Sequence, residues 1–126
     1  MIGYTNDIEK QTLENENFRK VIFTGPQMQL VVMTLQPGEE IGSEVHVGHD
    51  QFFRVEEGEG KVVMNGEEHD VHPDWAAIVP AGTKHNFINT SPDKKLRLYT
   101  IYAPPEHPEG TVDVTKKDAE ARENEE

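Results

Sequence analysis

No cysteine occurs anywhere in the chain, so disulfides and thiolate metal sites are both excluded, and any metal must be held by nitrogen and oxygen. Basic residues are scarce: 12 Lys and Arg face 24 Asp and Glu, a formal net charge of −12. Such a surface repels phosphate backbones and anionic lipid, so no nucleic acid and no membrane partner is expected. Long apolar runs are missing too. The longest, residues 30–35, is broken by Thr34 and is far too short to span a bilayer; the first residues lack the basic-then-apolar order of a secretory signal. The expected compartment is the cytoplasm.

With 126 residues, the chain is long enough for one domain with a core and too short to divide comfortably into two. Residues 1–17 are polar without a sustained period and read as an N-terminal arm, with Tyr4 and Ile8 available to dock on the body. Residues 18–105 form a series of short β-rich runs: RKVIFTG, QLVVMTL, QFFRVEEG, KVVM, EEHDV, AAIVP, NFINT and LRLYTIY. Pro37-Gly38, Asn65-Gly66, Pro73-Asp74 and Pro104-Pro105 punctuate them. Eight strands without a helical period between them predict an all-β antiparallel sandwich or barrel. Asn65-Gly66 predicts a hairpin, because a two-residue type I′ turn needs positive φ at both positions. Residues 106–126 read as an acidic tail, in which Thr115 and Asp118 can start a short helix.

Metal-ligating residue types concentrate in EIGSEVHVGHDQ, which holds Glu44, His46, His49 and Gln51. Strand alternation puts Glu44 and His46 on one face, with Val45 and Val47 on the other. If Gly48-His49-Asp50 reverses the chain, Gln51 meets that pair across a ladder, while His49 in the turn has no fixed facing. Two histidines, a carboxylate and an amide oxygen suit zinc, manganese, iron(II), nickel or cobalt. A further ligand must come from elsewhere in the chain.

The spacing Gly38, Glu44-x-His46, Gln51, Gly58, followed by Pro80-x-Gly82-x-x-His85-x-x-x-Asn89, resembles the paired motifs of the cupin family across residues 31–102. The resemblance implies a double-stranded β-helix barrel with one divalent metal ion per chain, held by Glu44, His46, Gln51 and His85. The family pattern commonly reads His-x-His followed by Glu, so Glu44 and Gln51 depart from it. Together the two departures leave the ligand charge unchanged, one carboxylate with three neutral donors. Asp74 stands where the family has Gly, a turn position at which Asp tolerates unusual backbone. The composition of the site is similar to that of phosphomannose isomerases, which hold zinc with two His, one Glu and one Gln.

That likeness implies an isomerase acting on a sugar or sugar phosphate, with the metal as Lewis acid. The same ligands allow an iron- or manganese-dependent dioxygenase, and the family also includes non-catalytic ligand-binding barrels. Candidates for a base are His49 and one of Tyr99 and Tyr102, which alternate faces; Lys84 and Arg97 are expected to reach solvent. Asn89 shares a face with His85 and Phe87 and is expected to hydrogen-bond inside the barrel or at its turn. Phe52, Phe53, Trp75, Phe87, Tyr99 and Tyr102 read as core and interface residues. An apolar outer face built from them implies a homodimer, the arrangement small cupins often adopt.

Overall fold

A computed structural model describes residues 2–125. Strand formation follows the alternation of the sequence. In β8 (Leu96–Ala103) every second residue is buried, which places Leu96, Leu98, Thr100 and Tyr102 inward. β2 (Gln29–Leu35) pairs with it in register, Gln29 opposite Tyr102 and Leu35 opposite Leu96. On its other side β8 pairs with β3 (Asp50–Glu57), with Gln51 opposite Tyr102. β1 (Arg19–Thr24) and the short β9 (Val112–Asp113) extend one edge, and β6 (Ala76–Val79) forms the other. The resulting six-stranded sheet has the order β6-β3-β8-β2-β1-β9. A second sheet, β5-β4-β7, comprises β4 (Gly60–Met64), β5 (Glu67–Val71) and β7 (His85–Asn89).

All these ladders are antiparallel, and the two sheets close a double-stranded β-helix barrel. Between them Val31, Met33, Leu35, Phe53, Val55, Val62, Phe87, Leu96 and Leu98 are almost wholly excluded from water. Each side chain of this size contributes about 1.5–3 kcal/mol on burial, the dominant stabilising term. The barrel is therefore filled at one end, and its polar inward residues gather at the other.

The turn chemistry is as read. Asn65 and Gly66 have φ of 50° and 83° and join β4 to β5. Asp74 has φ 73°, the left-handed conformation for which its family position keeps Gly. Asn89 donates to the carbonyls of Leu35, Gln36 and Lys94 and accepts from the Ser91 amide, fastening the turn that follows β7.

Two expectations need correction, and that of a short C-terminal helix is met. Residues 1–17 contain a helix, α1 (Ile8–Glu14), started by Asp7, whose carboxylate accepts from the Lys10 amide at 3.1 Å. About two turns of helix with a single wholly buried residue, Thr12, are too short to show a period. Tyr4 does dock, its ring 6.0 Å from that of Phe23. The short helix expected from Thr115 and Asp118 is present as α2 (Lys116–Glu125), capped by the Thr115 hydroxyl, and residues 112–113 before it form β9. α2 is not a solvated appendage, because Ala119 is buried in the core cluster. Finally, residues 40–49 form no regular strand: Glu44 makes an isolated bridge with His85, so it belongs to the three-stranded sheet's side. Gln51 lies on β3 in the other sheet, and it meets Glu44 and His46 across the barrel rather than along a ladder. Among the described residues no helix is long and apolar enough to cross a membrane.

Candidate metal centre

The polar end of the barrel is built from both sheets. Reciprocal backbone bonds between Glu44 and His85, at 2.8 and 2.9 Å, bind the irregular segment to the start of β7. They bring Glu44, His46 and His85 together, each offering a ligand atom within 4.8 Å of the others. Val45 and Val47, on the alternate face, point to solvent. From the opposite sheet Gln51 directs Oε1 to within 3.1 Å of His85 Nε2.

The hydrogen bonds around His85 test whether a cation fits. Its Nδ1 lies 2.9 Å from the Thr83 carbonyl, which can only accept, so Nδ1 carries a proton, and in the neutral ring Nε2 then presents a lone pair. The Gln51 amide nitrogen is committed to the Thr100 hydroxyl at 3.0 Å, so Gln51 also turns a lone pair toward His85. Two lone pairs facing each other in a buried space are compatible when a cation lies between them, either a proton on Nε2 or a metal ion that takes both. Two imidazoles, a carboxylate and an amide oxygen, with no thiolate, suit a borderline divalent ion.

Glu44 and His46 form the other half of the group. His46 Nε2 lies 2.8 Å from Glu44 Oε2. Burial works against ionisation of Glu44, yet the hydrogen bond from His46 and the neighbouring positive charges hold its carboxyl below the usual range. The same hydrogen bond, opposed by burial, raises the His46 imidazolium above its ordinary value.

His49 stands outside the ligand group. It lies between two acceptors, with Nδ1 2.6 Å from the Pro104 carbonyl and Nε2 2.8 Å from Glu106 Oε2. Glu106 also approaches His46 Nδ1 at 3.6 Å. Of the two tyrosines on β8, Tyr102 points inward and Tyr99 packs outside against Phe52. Burial raises the Tyr102 phenol well above its ordinary value and keeps it protonated beside Gln51. Lys84 is exposed, and Arg97 pairs with Glu16 and Glu57 away from these ligands.

Sequence reasoning missed Glu106, His107, Arg19 and Glu123. Gln29, wholly buried, accepts from the amides of Glu106 and His107 and donates to the His107 carbonyl at 2.7 Å. It thereby holds the segment after β8 over the barrel end. Glu44, Val45, His46, Glu106, His107 and Glu123 line a cavity of about 390 Å³ there. Nothing local marks these residues, although His107, unplaced by any motif, could have been found by accounting for all six histidines.

Comparison with known proteins agrees with this architecture. The model of the Cupin domain family matches residues 31–102. The chain is 47% identical over 124 residues to the uncharacterized protein YrkC of Bacillus subtilis (strain 168), covering 94% of this chain and 66% of that protein. It therefore spans about two thirds of the length of that relative. It is 39% identical to protein L612 of Acanthamoeba polyphaga mimivirus over 117 residues, 90% of this chain and 72% of the relative. The crystal structure of BH2720 from Bacillus halodurans superposes with a TM-score of 0.91 at 45% identity, covering 94% of this chain and 93% of the other. By the match of motif, barrel and relatives, the chain belongs to the cupin family.

Proposed function

We propose that the protein is a metal-dependent enzyme of isomerase type acting on a small hydroxy-carbonyl compound of the sugar or sugar-phosphate kind. In this reading Glu44, His46, Gln51 and His85 hold one divalent ion, either zinc, manganese, iron or nickel. The ion supplies Lewis-acid polarisation of a carbonyl oxygen. The chain's own contribution is proton handling. His49 Nδ1 is satisfied by the Pro104 carbonyl, so the 2.8 Å contact between Nε2 and Glu106 Oε2 holds one proton between the pair. Glu106 lines the cavity and can take a proton from a substrate carbon while His49 steadies the resulting acid. This Glu106–His49 contact beside the ligand group is the observation that carries the isomerase reading.

Its test begins with elemental analysis of tag-free protein prepared without chelators, beside a variant with Glu44→Ala and His46→Ala together. About one equivalent of metal, absent from the variant, is expected. Proton NMR in deuterated water then follows exchange at the carbon next to the carbonyl in a panel of hydroxy-aldehydes, hydroxy-ketones and their phosphates. Glu106→Gln is expected to slow exchange about a hundredfold or more with metal content unchanged. No exchange on any member of the panel with fully loaded protein would count against an isomerase.

A dioxygenase is the second reading, favoured by the two histidines and one carboxylate of Glu44, His46 and His85. Oxygen uptake by iron-loaded protein decides for it. Stoichiometric metal with neither exchange nor oxygen uptake would leave a ligand-binding barrel without turnover. We further propose a cytoplasmic homodimer without nucleic acid or membrane partners. Its interface is the outer face of the large sheet, where Phe52 and Tyr99 pack at a tilt, ring centroids 6.1 Å apart, near Ile101 and the exposed Ile78.

A further inference from the structure

Arg19 is 1% exposed, and its guanidinium stands over the Phe18 ring, 5.3 Å from the centroid, with few hydrogen bonds. Nη1 donates to Glu123 Oε1 at 2.9 Å, the Asp113 carboxylate is 3.6 Å away, and Nε has no partner. Asp113 is engaged elsewhere, accepting three bonds from Arg122 at 2.9 to 3.2 Å. Arg19 thus offers a fork suited to two carboxylate oxygens and uses one arm of it. Among the described residues, its one hydrogen-bonded carboxylate comes from a side chain that is 39% exposed, near the end of α2.

That same Glu123 side chain lines the cavity with Glu44, His46, Glu106 and His107. Through its hydrogen bond to Glu123 the Arg19 guanidinium adjoins the cavity that Glu44 and His46 also line. A buried, half-satisfied guanidinium covered by an exposed carboxylate is a binding place occupied from within. We propose that the site takes a small molecule bearing a carboxylate, and that Arg19 is the residue that binds it, Glu123 standing in for that group in the free protein.

Charge balance supports exchange over simple addition. An anion entering beside Glu44, Glu106 and Glu123 would add a fourth carboxylate to the cavity. Replacing Glu123 on Arg19 leaves the charge of the site unchanged and releases Glu123 toward water beside Arg122, which already lies 3.8 Å from it. A neutral ligand has no means of displacing it. The specificity this gives is for acids over their amides or alcohols. It deepens the reading of the cavity as a small-molecule site, and it does not depend on the metal.

Isothermal titration of glycolate and of its neutral analogue glycolamide into full-length protein tests this, with wild type and Glu123→Gln each examined zinc-loaded and chelator-stripped. Glu123→Gln keeps the size of the side chain and weakens its hold on Arg19, so glycolate should bind about tenfold tighter while glycolamide is unchanged. Adding Arg19→Gln to that variant should abolish the gain, with near-ultraviolet circular dichroism showing whether the double variant is folded. Equal glycolate affinity in wild type and Glu123→Gln, or a gain shared by glycolamide, overturns the proposal even if the double variant does not fold. Selection for glycolate that persists without zinc, in a chain that takes up no zinc, would sink the Lewis-acid reading and keep this one. Zinc binding without that selection would do the reverse.

Discussion

The neighbours of a candidate ligand matter as much as the ligand. Gln51 presents oxygen rather than nitrogen to His85 because the Thr100 hydroxyl, wholly buried on β8, takes its amide N–H. Thr100→Val keeps the shape and removes that acceptor. Competition with a chromophoric chelator should then show zinc affinity about tenfold or more weaker, the usual cost of losing such a supporting bond. His107 offers a test by pH. Burial, with the charges of Arg19 and Arg122, pushes its pKa down to about 3, whereas in the unfolded chain it titrates near the ordinary histidine value of 6.5. The unfolded state therefore binds the proton first as pH falls, so this contribution is complete above about pH 6.5 and is lost toward pH 3. Urea melts should show wild type losing about 1–2 kcal/mol between pH 7 and pH 5, and His107→Gln losing less. His46, with its raised value, acts with the opposite sign: its contribution is present below pH 6.5 and fades as pH rises through the folded value.

At the scale of elements, the barrel's geometry depends on a few backbone positions between strands. Gly58, at φ 93° between β3 and β4, has no room for a side chain: a Cβ would lie 2.5 Å from the Lys95 carbonyl oxygen. Gly66, at φ 83°, faces open space. Gly66→Ala should therefore cost only the conformational strain, about 1–2 kcal/mol, and Gly58→Ala distinctly more, because backbone would have to move as well. Chemical denaturation of the two variants under identical conditions compares them directly. Similar losses would mean that the β3–β4 turn relaxes easily. These elements were legible in the sequence because strands of alternating residues, separated by Gly, Pro, Asn and Asp, leave a period of two that side-chain burial enforces. β9 and α1 were not. Two residues of strand carry no period, and α1 is held by its cap and by packing on β2, β3 and β8 rather than by a continuous apolar face.

For the whole molecule, the exposed apolar side chains sort by location. Val45 and Val47 flank the barrel mouth, being the outward residues of the ligand segment, whereas Ile78 stands on the edge strand β6 beside Phe52. Sedimentation velocity should show a dimer that Ile78→Lys converts to monomer without altering the circular dichroism spectrum. A monomer for both proteins would remove the proposed interface. The net charge of −12 adds repulsion between subunits, so added salt should tighten association.

By itself the sequence determined the fold class, the family and the positions of Glu44, His46, Gln51 and His85 in their motifs, because those depend on local spacing and on a period that burial imposes. It also carried the positive-φ turns at Asn65-Gly66 and Asp74, which are properties of single residues. Tertiary structure alone decided that Gln51 approaches from the opposite sheet, that His49 turns to Glu106, and that Arg19, His107 and Glu123 meet at the barrel mouth. Arg19 and Glu123 are 104 residues apart along the chain. Their pairing follows from the docking of α2 through Ala119 onto the barrel, a packing event that no local pattern of charge or hydrophobicity encodes.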